Sequence, residues 1–183
     1  MWGHHPAFGA PFLQEGLQLF VPAGKARAHN PMFSASGALE PGMEFPWPIG
    51  RTSGGNEIDL SVIKGPDGGF AELIYLSELR EAWYALVNPK SEVGIGLAWD
   101  KNVMPYLWFW LVYGRAPGYP WWDNAYVIAL EPWTSIPNNL NLALESGTQA
   151  TLKGGETTTF SCTATAITGR KKVERVGISG EVG

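Results

Sequence analysis

The chain has 183 residues, of which 45% are hydrophobic and 16% charged, and its net charge is −4. These values predict one globular domain over residues 1–183 and exclude wholesale disorder and the basic surface that nucleic-acid binders use against phosphate. Because no apolar run approaches the roughly 20 residues that span a bilayer, no membrane partner is predicted either.

The first half of the chain predicts short strands joined by turns, because it is rich in glycine, proline and aromatic residues. Residues 17–23 predict a strand. Residues 37–55 predict a long ordered loop anchored by Phe45 and Trp47. Residues 58–63 predict another short strand. Helix is expected to be scarce throughout.

The middle of the chain contains one segment that the sequence leaves open. Residues 70–76 fit either a strand or a helical turn, and residues 77–82 are the only stretch with respectable helix propensity. Four later segments predict strands from their alternating or continuous apolar residues: 83–87, 93–99, 106–113 and 126–131. The third of these is apolar on both faces, so we expect a central strand.

The end of the chain predicts a hairpin over residues 150–165, with a Gly-Gly turn and β-branched arms. The predicted fold class is therefore all-β, with antiparallel strands. Cys162 is the single cysteine, so no intramolecular disulfide is possible and a reducing compartment fits best. The N-terminus has no basic segment followed by an apolar one, so no secretory signal is predicted and the cytoplasm is the expected location.

Glu131 is the residue with the most reactive setting. Apolar residues 126–130 lead into it as a buried strand, and Pro132 favours extended geometry and removes the next ladder donor, which places Glu131 at the strand end. Walls formed by Trp133, with Trp121 and Trp122 as further candidates, would raise the pKa of the carboxyl by desolvation and suit it to proton transfer. The alternative is a strand-end glutamate that faces solvent.

Histidines are the natural partners of such a carboxylate. The side chains of the adjacent His4 and His5 would leave opposite faces of an extended segment, and His29 lacks metal-ligand spacing, so we expect no metal. A histidine of this pair is either structural or a partner of Glu131. An imidazole and a carboxylate above an aromatic floor can donate and remove protons on one small molecule, and aromatic rings stack on sugars, which favours a carbohydrate ligand.

Other chemistries fit the sequence less well. There is no Gly-x-Ser-x-Gly elbow, and the glycine-rich stretches lack the strand-to-helix context of a phosphate loop, which argues against nucleophilic hydrolysis and nucleotide binding. Glycoside hydrolysis requires two opposed carboxylates, for which Asp59 or Asp123 is available.

Several short motifs occur in a recognisable order along the whole chain: His-Pro-Ala-Phe-Gly at 5–9, Val-Pro-Ala at 21–23, Asp-Leu-Ser at 59–61, Asn-Pro at 88–89, Trp-Phe-Trp at 108–110, Leu-Glu-Pro-Trp-Thr at 130–134 and Leu-x-x-Gly-Glu at 152–156. Their order and spacing resemble the C-terminal half of the aldose 1-epimerase, or galactose mutarotase-like, family. No single motif carries the resemblance alone.

The resemblance implies an antiparallel β-supersandwich in which facing sheets leave an open cleft for a sugar. It implies that His5 protonates the ring oxygen and that Glu131 takes the proton of the anomeric hydroxyl, without a cofactor. Asp59 stands where the family often has a sugar-binding aspartate, and His4 and Trp133 would line the cleft.

Full-length members of that family carry an N-terminal half that supplies an arginine and another histidine. The resemblance therefore implies that this chain is a C-terminal portion without that half, with sheet edges that favour self-association. The leading hypothesis is an aldose 1-epimerase-like isomerase. The alternatives are a non-catalytic carbohydrate-binding module and a purely structural β domain.

Overall fold

Two facing antiparallel sheets form most of this protein. The structure is a computed structural model that describes residues 1–30 and 37–183. The strands of this part are β1 (Ala7–Gly9), β2 (Gln18–Phe20), β3 (Lys25–Ala28), β4 (Glu44–Pro46), β5 (Ile49–Arg51), β6 (Glu57–Asp59), β7 (Phe70–Ser77), β8 (Trp83–Asn88), β9 (Val93–Trp99), β10 (Tyr106–Tyr113), β11 (Tyr126–Trp133) and β12 (Cys162–Thr168). A short helix, α1, spans Leu140–Glu145. None of the described helices has the length and apolar character needed to cross a bilayer.

The larger sheet has the strand order β1-β11-β10-β7-β3-β4, and the second sheet has the order β12-β9-β8-β2. Side chains of successive strand residues point to opposite faces, so each sheet has an inner and an outer face. Ile74, Phe109 and Leu130 on the inner face of the larger sheet pack in one core with Tyr84 and Leu86 of the second sheet. The predicted all-β antiparallel class is confirmed.

Strand β10 lies between β11 and β7, which confirms the prediction of a central strand. Its inner residues reach the main core, while Trp108 on its outer face packs in a separate cluster with Tyr75 and Ile136. The segment that the sequence left open forms strand β7, and residues 78–82 form no helix. This segment is a strand because it pairs with β10 on one side and β3 on the other, and such tertiary contacts override a weak local propensity.

Three local predictions are wrong, two of them in segments outside the long strands. Residues 37–55 are not simply a loop, because they contain β4 and β5, although Phe45 is buried and Trp47 packs on the core as expected. The hairpin over residues 150–165 does not form: Gly155 makes a turn with φ of 84°, but the arms do not pair. The second arm instead contributes to β12, which pairs along all seven of its residues with β9 and buries Ile167.

Strand β11 also continues past Glu131, where the sequence predicted its end. Pro132 is opposite Leu107 of β10, and its carbonyl accepts a hydrogen bond from the backbone N–H of His4 at 3.0 Å. In an antiparallel pair the nitrogen and carbonyl of a residue face the same neighbour. The N–H that Pro132 lacks would therefore face the N-terminal edge segment and not β10. Proline is tolerated on such an edge.

The edge strands β1 and β12 lie on the same side of the sandwich. An apolar groove of about 500 Å³ runs between them and is lined by residues that include Phe8, Phe12, Ile95 and Ala164. The expectation that exposed sheet edges promote self-association stays a prediction.

Glu72 of β7 is a carboxylate buried inside the sandwich, and it gives a first testable prediction. Its Oε1 accepts the backbone N–H of Leu39 at 2.7 Å, yet burial raises its pKa from 4.5 to about 7. A carboxyl whose pKa is raised by folding binds its proton more tightly in the folded state. Folding is therefore destabilised as pH rises from 4.5 through about 7.

We expect this group to lower the free energy of unfolding by about 3 kcal/mol across that pH range, at about 1.4 kcal/mol per pKa unit. Urea unfolding of the wild type and Glu72→Gln near pH 4.5 and above pH 7 measures it. The amide can still accept the N–H of Leu39 but does not ionise, so the variant should lose this part of the pH dependence. If the free energy of unfolding changes with pH by the same amount in both proteins, the prediction is wrong.

Candidate active site

The register of the larger sheet places four polar or aromatic side chains in one row on its outer face. Tyr75 of β7 and Glu131 of β11 are both register partners of Trp108 on β10, and Arg27 of β3 is the partner of Tyr75. Cross-strand partners lie close together on the same face of a sheet. Residues as far apart as 27 and 131 in the sequence therefore meet on one surface.

The N-terminal segment adds His5 to the end of this row. Gly3 is bridged to Trp133 and Ala7 is paired with Ala129, so His5 lies opposite Glu131 on the edge of the sheet. The Nε2 atom of His5 is 3.1 Å from Oε1 of Glu131. The structure thus brings together the two residues that the sequence singled out.

The two partners differ sharply in exposure. The side chain of His5 is 56% exposed, whereas that of Glu131 is 4% exposed. Burial raises the pKa of Glu131 above its usual value, and this effect outweighs the indole N–H of Trp133 and the nearby His5, both of which lower it. A carboxylate with a raised pKa is a stronger base than an ordinary surface glutamate, which suits it to proton transfer.

Trp133 holds the second oxygen of this carboxylate. Its Nε1 donates to Oε2 of Glu131 at 2.8 Å, so both carboxylate oxygens have a partner. The indole of Trp108 stacks on that of Trp133, with 4.1 Å between ring centroids and 12° between planes. Trp108 in turn donates its Nε1 to the carbonyl of Ser135 at 3.0 Å. The aromatic wall beside Glu131 is therefore a rigid stack.

The tryptophans that the sequence offered as further walls make other ring contacts. Trp121 packs on Trp110 at 5.1 Å between centroids, and Trp122 packs on Tyr119 at 5.4 Å. Trp122 is also 61% exposed. These contacts do not link either ring to Glu131.

The other two predicted site residues lie apart from this pair. The ring of His4 leaves the opposite face of the edge segment from His5 and lies 6.2 Å from the ring of Phe160. Asp59 lies in β6 and accepts hydrogen bonds from the backbone N–H and the hydroxyl of Ser61, at 2.9 and 2.6 Å. It lines a separate cleft of about 810 Å³, which His5, Glu131 and Trp133 do not line.

Sequence reasoning missed a second polar cluster on the same row. The hydroxyl of Tyr75 accepts the backbone N–H of Asn138 at 3.1 Å and lies 2.7 Å from Nδ1 of His29, to which it can donate its proton. The guanidinium of Arg27 lies 5.5 Å from the ring centroid of Tyr75. Only strand pairing brings these residues together, so no local motif signals them. The described residues contain no group of three or more histidine, cysteine or acidic side chains arranged to hold a metal ion.

The fold is similar to that of a solved structure, a candidate aldose 1-epimerase from Klebsiella pneumoniae subsp. pneumoniae MGH 78578. The two align with a TM-score of 0.65 and 17% identity over 92% of this chain, which spans only 38% of that protein's chain. At this identity the likeness establishes the fold alone, and it confirms the galactose mutarotase-like architecture that the sequence resemblance implied.

A second solved structure, the Slr1438 protein of Synechocystis sp. PCC 6803, aligns with a TM-score of 0.45 and 16% identity over 74% of this chain and 35% of its own. No curated protein sequence matches the chain. A family model described as a domain of unknown function, DUF4432, matches residues 1–166, a range that includes both His5 and Glu131. The chain therefore belongs to the DUF4432 family.

Proposed function

We propose that this chain provides the catalytic pair of an aldose 1-epimerase-like isomerase, which interconverts sugar anomers by acid–base ring opening. The observation that carries the proposal is the 3.1 Å contact between Nε2 of His5 and Oε1 of Glu131 at the edge of the outer sheet face. The fold likeness to a candidate aldose 1-epimerase supports the same activity.

The roles of the two residues follow from their surroundings. Glu131 is buried, its pKa is raised, and Trp133 occupies Oε2, which leaves Oε1 to accept a proton. His5 is more than half exposed and can exchange its proton with solvent between turnovers. We therefore assign Glu131 as the general base and His5 as the general acid.

In the proposed reaction Glu131 removes the proton of the anomeric hydroxyl while His5 protonates the ring oxygen. The bond between C1 and the ring oxygen breaks, and C1 becomes the carbonyl carbon of a free aldehyde. Rotation about the C1–C2 bond presents the other face, and closure with the two proton transfers reversed gives the other anomer. Both transfers involve oxygens bonded to C1, so an acid and a base that lie close together suffice.

The direct contact between the pair also implies a movement. A sugar hydroxyl that is to reach Oε1 along the path of this contact must displace the imidazole, because Nε2 of His5 lies 3.1 Å from that oxygen. Glu131 is fixed by burial and by Trp133, whereas His5 is largely exposed. We therefore expect His5 to swing away from Glu131 as the sugar enters between them.

Two-dimensional NMR exchange spectroscopy on D-glucose and D-galactose tests the proposal. We expect cross-peaks between the α- and β-anomeric protons to grow faster with protein than in buffer. Sugar binding without faster exchange would contradict it and support the alternative, a non-catalytic carbohydrate-binding module. If neither sugar is bound or converted at millimolar concentration, the result favours the other alternative, a purely structural β domain.

A further inference from the structure

We infer that Gly3 is a positioning residue for Glu131, and that it acts by leaving room for the indole of Trp133. Gly3 makes the bridge to Trp133 from the N-terminal edge segment. A methyl group at position 3 would lie 2.3 Å from both Cδ2 and Cε2 of that indole. Real carbon atoms do not approach so closely, so any side chain at this position must displace the ring or the segment.

The ring has no room to retreat on its other flank. Trp108 comes from β10, on the side of β11 opposite Gly3, and stacks on Trp133 at 4.1 Å. Trp108 is itself only 6% exposed and is tied through its Nε1 to the carbonyl of Ser135. The indole of Trp133 is thus held between a buried aromatic ring and the bare backbone of a glycine.

This clamp matters because the edge of the same indole holds the carboxylate. Nε1 of Trp133 donates to Oε2 of Glu131 at 2.8 Å, while Oε1 contacts His5. If a side chain at position 3 pushes the ring away, Oε2 loses its donor and Oε1 is no longer held towards His5. A hydrogen bond to the ionised carboxylate favours that form, so its loss should raise the pKa of Glu131 further.

The first test needs no enzymatic activity. The indole N–H signal of Trp133, assigned from its loss in Trp133→Phe, should shift as Glu131 titrates in the wild type, and this pH-dependent shift should vanish in Glu131→Gln. In Gly3→Ala we expect the signal to move and to lose most of its response to pH. A Trp133 signal that titrates in Gly3→Ala as it does in the wild type would overturn the inference.

A matched control separates this effect from a general disturbance of the segment. Gly9 belongs to β1, and a methyl group there would meet nothing closer than the carbonyl oxygen of Tyr126 at 3.9 Å. Gly9→Ala should therefore leave the Trp133 signal and its titration unchanged. If Gly9→Ala and Gly3→Ala alter the signal equally, the inference is wrong.

The kinetic consequence rests on the proposed function. In Gly3→Ala we expect kcat for anomer exchange to fall about tenfold with little change in KM, and the acid-side limb of the pH profile to move up by about one unit. In the Trp133→Phe background the same substitution should move that limb no further, because the donor is already gone. Independent, additive shifts would overturn the inference. A wild type without exchange activity would refute the proposed function, and the NMR signal would still decide the role of Gly3.

Discussion

Replacement of Glu131 by glutamine is expected to slow anomer exchange by at least about a hundredfold, the lower end of what a positioned general base contributes. The amide has nearly the same shape and can still accept the indole N–H of Trp133, but it cannot accept the proton of the anomeric hydroxyl. Exchange rates of the wild type and Glu131→Gln, measured at the same pH and sugar concentration, give the ratio directly.

Glu57→Gln is the matched control for this substitution. Glu57 is an exposed strand residue in β6, so the same change of charge there should leave the exchange rate unaltered. Denaturant unfolding of both variants checks that the fold is retained. A Glu131→Gln variant that is folded and exchanges anomers at the wild-type rate would show that Glu131 is not the base.

Truncation of Trp108 is expected to have the largest effect on stability, about 3 to 5 kcal/mol in the free energy of unfolding. Trp108 is 6% exposed, stacks on Trp133, contacts Tyr75 edge to face at 5.4 Å and donates to Ser135. Trp108→Ala would leave a cavity and an unpaired carbonyl beside the candidate site. Urea unfolding of the wild type and the variant measures the loss.

Trp122→Ala provides the comparison, because it deletes the same side chain from a position that is 61% exposed. Surface substitutions of this kind usually change stability by no more than about 0.5 kcal/mol. If the two variants lose similar amounts of stability, the stack of Trp108 on Trp133 does not stabilise the fold as predicted.

The sequence predicted the strands well where the hydrophobic pattern was long and regular. Strands β8, β9, β10 and β11 were all anticipated. Glycine and proline content also indicated correctly that helix would be scarce. Local signals suffice for such features because they depend on the period of one segment. The pairing of His5 with Glu131 has another source, because the residue types left it as one of two alternatives and the family resemblance singled out His5.

The remaining features depend on pairing between distant segments. The Gly-Gly turn at residues 154–155 forms, yet β12 pairs with β9 and not within its own hairpin, because β9 offers a partner along the whole strand. Likewise nothing next to Gly3 in the sequence indicates that Trp133 packs against it, since only the register of the N-terminal segment with β11 brings them together. Asp59 and His4 are residue types that suit a sugar site, yet the fold places their side chains away from His5 and Glu131.

The pH dependence of anomer exchange in the wild type and in Glu131→Gln tests whether Glu131 is the general base. We predict a bell-shaped wild-type profile, in which the rate falls on the acid side as Glu131 takes up a proton that burial helps it to hold. The slow residual rate of Glu131→Gln should lack this acid-side fall. If the variant shows the same acid-side fall as the wild type, a group other than Glu131 accepts the proton, and the assignment of this pair is wrong.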